Sequence, residues 1–203
     1  MGVGPFLKDK HSNVIKMKTL KLVILSCIVL FGAVNTASAQ KWAVAVNAGD
    51  MVSLGTVSAE GAVAVGRHAT INASAKINPW TFKNGSPGQF QNRQQTYAIG
   101  ARWWPWNVYS GWWLGGKGQY QQYNRGGLRS SNTEEGDAYG LGLSGGYALM
   151  LGEHVNLDFG LGLWGGRSIY TVYACPTCGK FLESGKKWFV LPNELILSFM
   201  WVF

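Results

Sequence analysis

Residues 193–203 read NELILSFMWVF. Every second residue is large and apolar: Leu195, Leu197, Phe199, Trp201 and Phe203. Glu194 and Ser198 fall between them. Period-two alternation is the pattern of a strand with one apolar face. A strand that stays greasy up to an aromatic residue is a liability in water, and it raises the question of what solvent that face meets.

The same period recurs upstream. YGLGLSGGYAL (139–149) sets Tyr139, Leu141, Leu143, Tyr147 and Leu149 against glycine, Ser144 and Ala148. VNLDFGLGL (155–163) sets Val155, Leu157, Phe159, Leu161 and Leu163 against Asn156, Asp158, Gly160 and Gly162. INASAKI (71–77) and QTYAIGARW (95–103) behave alike, and none repeats apolar residues at helical spacing. Extending the reading gives eight candidate strands near 41–48, 56–66, 69–78, 94–104, 111–123, 137–149, 154–167 and 188–203. Most match the roughly 9–11 residues with which a tilted strand crosses a bilayer.

Composition agrees. Charged residues make up only 14 % of the chain, against 28 Gly and 10 Trp. After Ala39 no apolar run is long enough for a membrane helix, so low charge with many aromatics points to short amphipathic strands.

Residues 1–39 read as a signal peptide. Lys16, Lys18 and Lys21 precede an apolar run from Leu22 to Val34, and Ala37-Ser38-Ala39 offers a small-x-small cleavage site. Met17 is an alternative start, which would make 1–16 an over-extended leader. Cys27 in ILSC offers a lipoprotein site as a rival, with Leu25 where a small residue is preferred. Five of the 18 basic residues and one of the ten acidic ones lie in 1–39, so the net charge falls from +8 to +4 in 40–203. With no basic cluster remaining, no nucleic-acid partner is expected.

The connections alternate in length. GRH (66–68), PWNVYS (105–110) and MLGEH (150–154) are short, and the intervening ones are longer. With the N-terminus in the periplasm, the short turns fall inside and the long loops outside, as in outer-membrane barrels.

Alternation alone does not say which face is wet, because a soluble lipocalin-like barrel turns its apolar face inward. Two features decide. The strand charges Glu60, Lys76, Arg102, Lys117, Asp158 and Glu194 all share the small, polar register. Each Lys or Arg facing lipid at mid-depth would cost about 2–4 kcal/mol, whereas in a narrow lumen acids and bases can pair. Aromatic residues also collect at strand ends, as expected of interface girdles: Trp42, Trp103, Trp112 and Trp201 at one end, Trp80, Trp164 and Trp188 at the other. Pro192 interrupts the last strand and is expected at a bulge or near the outer rim.

Sites for chemistry are few. Cys175 and Cys178 in CPTC read as a loop disulfide or as two free thiols. A zinc site lacks further ligands nearby, and a redox motif lacks its helix. The only histidines after residue 39 are His68 and His154, both in short turns. No Ser-His or Asp-His arrangement lies on the outer side for a lipid A-modifying enzyme, so no catalytic residue and no cofactor are expected.

INPWTF (77–82), GQYQQYNRGG (118–127) and the terminal strand resemble a family of small outer-membrane β-barrels of unknown function from Bacteroidota, often encoded near fimbrial genes. The resemblance spans 41–203. It implies no catalytic residues, and it implies a terminal aromatic, here Phe203, read by the barrel-insertion machinery. Asn193 between Pro192 and Glu194 departs from the family's Pro-Glu, and CPTC is not a family mark.

The sequence therefore predicts an all-β fold: an eight-stranded antiparallel up-and-down transmembrane β-barrel (40–203) in the outer membrane. Its expected partners are outer-membrane lipid, the insertion machinery, and fimbrial or other surface proteins. The expected role is structural or surface-interacting, with a narrow solute pore, a lipocalin-like binder and a lipid A-modifying enzyme as alternatives.

Overall fold

The alternating segments close into a wall. The computed structural model describes residues 41–52, 54–83, 85, 89–127, 132–175 and 179–203, with the backbone alone at Asn193. The strands are β1 (Trp42–Asn47), β2 (Val57–Ala64), β3 (Ala69–Asn78), β4 (Thr81–Phe82), β5 (Phe90–Trp103), β6 (Gly111–Gly126), β7 (Thr133–Met150), β8 (Val155–Tyr173) and β9 (Phe181–Val202). Residues 40–203 form a compact unit of their own. The expected leader, with Cys27, lies outside the described residues.

Each wall strand pairs antiparallel with the next, β9 pairs back onto β1, and β3 pairs with β5 across the two-residue β4. The result is an all-β, closed, eight-stranded antiparallel up-and-down barrel. Closure removes the free edges that an open sheet of this composition would expose. A single 3-10 turn, Ala48–Val52, is the other regular element among the described residues.

Side chains alternate between lumen and exterior with the bulky set outside. Leu161 is 68 % exposed and Phe199 58 %, and Leu197, Leu141, Leu143 and Ile99 also face out. Ser198, Asp158, Asn72, Arg102 and Thr96 are buried within. This is the reverse of a lipocalin-like barrel, whose interior is apolar.

The wall is uneven in height. β1 has six residues and β9 has 22. At about 3.3 Å per residue, β9 outreaches β1 several-fold. Strands β5 to β9 all run past the expected boundaries at the long-loop end. The stretches 124–136 and 168–187, expected as loops, are mostly strand. Above the apolar band both faces of these strands are wet, so the hydrogen-bond ladder continues while the period-two signal fades.

One irregularity resets the faces of β9. Gly162 pairs with Glu194 and Leu163 with Pro192, leaving Asn193 as an extra residue. This bulge is where Pro192 is accommodated. Because one inserted residue inverts the alternation, odd positions face out below the bulge (Leu195 to Phe203). Even positions face out above it (Trp188, Val190).

Candidate functional site

The lumen is filled in layers. At the short-turn end an apolar floor gathers Ala43, Ala45, Trp104, Tyr109, Ile196, Met200 and Val202. Trp104 packs edge-on against Tyr109, with ring centroids 5.9 Å apart, and donates from Nε1 to Thr70 Oγ1 at 3.1 Å. The turn 104–110 folds into the barrel mouth, where the Tyr109 hydroxyl donates to the Lys41 carbonyl and Asn156 donates to the Tyr109 carbonyl. Burial pushes the Tyr109 phenol up to about 12, against the opposing pull of Arg102. His68 and His154 sit at this end with ring Nδ1 against a backbone carbonyl, that of Trp104 and that of Val202 respectively.

Above the floor lies a first ionic layer. Arg102 Nη1 donates to Asp158 Oδ2 at 2.9 Å, and its Nη2 lies 2.7 Å from Glu60 Oε1, close but not aligned for a hydrogen bond. The Arg102 guanidinium stacks 4.2 Å from the Trp113 ring centre, and Trp113 Nε1 donates to Asp158 Oδ1 at 2.7 Å. Asp158 is 0 % exposed. A bare carboxylate there would be prohibitive, and two donors, the Arg102 guanidinium and the Trp113 indole, compensate it. The indole fits because Gly146 and Gly160 face it: a Cβ on Gly146 would lie 2.7 Å from Trp113 Cζ2 and 2.1 Å from the Phe159 carbonyl oxygen.

The second ionic layer centres on Glu194. Lys117 Nζ donates to its Oε2 at 2.6 Å and Lys76 Nζ to its Oε1 at 3.1 Å. Lys76 also donates to Asp50 Oδ1 at 2.9 Å. All six charges expected in the lumen are there, in two clusters. Asp50 is a seventh, which the sequence reading missed because it lies in the 3-10 turn rather than on an alternating strand. Asn47 anchors that turn: its Nδ2 donates to Asp50 and to the Leu195 carbonyl, and its Oδ1 accepts from Gly49 and Leu197. The void between the two layers is only about 20 Å³, room for about one water.

Beyond the ions the lumen widens into a polar vestibule of about 320 Å³ bounded by Thr96, Gln94, Gln119, Gln121 and Arg125. The inner face of the tall wall continues it. There the Tyr123 hydroxyl bonds with Ser168 Oγ and donates to Glu134, while Lys187 donates to Glu134 at 2.7 Å. Burial opposes ionisation of Glu134, but Lys187 and the Tyr123 hydroxyl prevail and hold its pKa below the ordinary carboxylate value.

Outside, Trp42, Trp103, Trp112 and Trp201 are exposed at the short-turn end, and Trp80 and Trp188 towards the other. Trp164, expected beside them, is instead inside: it is 3 % exposed and packs edge-on against Phe189. The reason is parity. Trp164 pairs with Gly142 on the lumenal face, next to outward Leu163. Phe203 is exposed at the short-turn end, where its amide donates to the Trp42 carbonyl. Cys175 is disulfide-bonded, and Cys178 lies outside the described residues. Among the described residues no group of three or more His, Cys, Asp or Glu could hold a metal ion.

No curated protein and no solved structure matches the chain. A family model described as "Protein of unknown function (DUF3575)" matches residues 23–203. By that match, which spans the whole barrel, the chain belongs to the DUF3575 family.

Proposed function

We propose that this DUF3575 protein is an outer-membrane barrel with a structural or surface-interaction role and a closed lumen, and not an enzyme. The observation that carries this reading is the division of side chains. The exterior presents a continuous apolar band edged by Trp and Tyr, while seven charges and an aromatic floor occupy the inside. Such a band is matched to hydrocarbon, and such a lumen has no path for solute. The tall wall, set on the long-loop side, would then stand outside the cell. Its partners would be surface proteins, fimbrial components among them, in a bacterium of the Bacteroidota type. Phe203, exposed at the opposite end, suits the signal read by the insertion machinery. Nothing in this reading requires a cofactor, and the rings of His68 and His154 are engaged with backbone.

The test is fractionation with gel mobility. The protein is expected in the outer-membrane fraction and to migrate differently before and after boiling. A monomer soluble without detergent would sink the proposal. In planar bilayers the wild type is expected to be silent, as are Arg102→Ala and Lys117→Ala. Unitary currents would favour the narrow pore instead. Loss of surface fimbriae in a deletion strain, restored by the intact gene, would support the fimbrial role.

A further inference from the structure

Two cations stand together on the exterior of β8 and β9. Arg167 on β8 faces outward, directly between Tyr139 of β7 and Trp188 of β9. Lys186 follows diagonally on β9, also outward and exposed. Among the described residues neither cation makes a hydrogen bond or an ion pair. The Arg167 guanidinium lies 6.0 Å from the Trp188 ring centre. The nearest outward acid in register is Asp137, and it accepts a hydrogen bond from Tyr120 Oη at 2.7 Å. Immediately below this row, Leu141, Gly165 and Val190 face out, and the glycine leaves a notch between the two aliphatic side chains. Tyr139, Leu141, Gly165, Arg167, Trp188 and Val190 edge an open groove of about 640 Å³ running from apolar floor to basic rim, with Lys186 next along β9.

We propose that this groove holds a phosphorylated lipid of the outer leaflet, its acyl chain over Gly165 and its phosphate on Arg167 and Lys186. The inference rests on the outer-membrane reading above. An unpaired arginine at an aromatic girdle faces headgroups, where a phosphate supplies the acceptor oxygens that the protein does not. Guanidinium and ammonium together provide a two-cation clamp for phosphate, while Trp188 and Tyr139 flank the headgroup level. Charge complementarity and the apolar-to-basic gradient along one groove select an anionic amphiphile over a soluble anion or a neutral lipid.

The test uses the full chain in detergent, with bis-phosphorylated lipid A added and binding read by native mass spectrometry. The wild type is expected to retain lipid A and to bind its dephosphorylated form weakly. Removing each cation, in Arg167→Gln and Lys186→Gln, is expected to weaken binding about fivefold. Arg93→Gln, which removes an exposed cation on β5, should leave binding unchanged. Equal retention of the phosphorylated and dephosphorylated lipids overturns the proposal, as does equal retention by the double variant. Displacement of lipid A by inorganic phosphate at comparable concentration would mark a free-anion site and overturn it too. Insertion into liposomes, read by protease protection, separates the failures. A chain that inserts but ignores phosphate defeats this inference alone. A chain that does not insert defeats the outer-membrane reading and this inference with it.

Discussion

The lower lumen and the tall wall are built from the same strands yet obey different rules. Below the vestibule most inward side chains are paired or tightly packed, with Glu60 Oε1 and Asn72 Oδ1 left without a hydrogen bond. Glycine sits where Trp113 or Lys117 needs space, acids meet bases, and the residual void is about one water in size. Above it, Tyr123, Glu134, Tyr170 and Lys187 interact on an inner face that opens to solvent, and the Glu134–Lys187 pair is half exposed. Burial makes each unpaired polar group costly. The wet wall carries no such penalty, so it is free to vary its surface chemistry.

That contrast can be broken from the bottom up. Asp158→Ala leaves Arg102 buried with only the misaligned Glu60 and the Trp113 face. The barrel is expected to lose about 3–5 kcal/mol, read as a lower temperature for the boiled-to-unboiled gel transition. A loss as small as that of a surface pair would show that water reaches the layer. Gly146→Ala drives a Cβ into the Phe159 carbonyl and the Trp113 ring, and is expected to cost about 1–3 kcal/mol. Near-neutral behaviour would mean the floor can repack. Glu134→Gln in the tall wall is expected to change stability by no more than about 1 kcal/mol, since its partner is exposed.

The pH dependence of the tall wall has a defined sign. Glu134 is held below the ordinary carboxylate pKa in the folded state. Its stabilising contribution is therefore present above the unfolded carboxylate pKa and is lost as pH falls through the folded value. Amide protection in β7 and β9 at the long-loop end, taken relative to the intrinsic exchange rate at each pH, should fall on acidification into that range, and Glu134→Gln should abolish the fall. A fall that survives the substitution would assign it to another carboxylate.

Legibility in the sequence followed the same division. Strand count, the outward-facing set and the six lumenal charges could be read because one face of each strand is bulky and apolar and the other small and polar, which imprints period two. Asp50 escaped because a 3-10 turn carries no such imprint. Trp164 has the position of a girdle aromatic near a strand end, but its even position beside outward Leu163 turns it inward. The upper ends of β7 (133–136), β8 (168–173) and β9 (181–187) fall outside the strands expected from sequence because no clean period-two apolar face marks them. Arg167 stood in plain view, but its outward register became meaningful only once its neighbours Tyr139 and Trp188 were known.

The difference in height has a last consequence. β1 pairs with β9 only from Asn47↔Ser198 to Ala43↔Val202, so among the described residues no strand pairs with the upper part of β9 on that flank. A closed cylinder has thus been left with a partial seam, the kind of unpaired ladder on which stray chains zip together. Here it carries Pro192, an inserted residue at 193 and two consecutive lysines, Lys186 and Lys187. Each of these discourages strand addition. Smoothing that flank, by deleting Asn193 and replacing Pro192 with Val, should turn a guarded rim into an adhesive one and yield linear multimers of the barrel on unboiled gels.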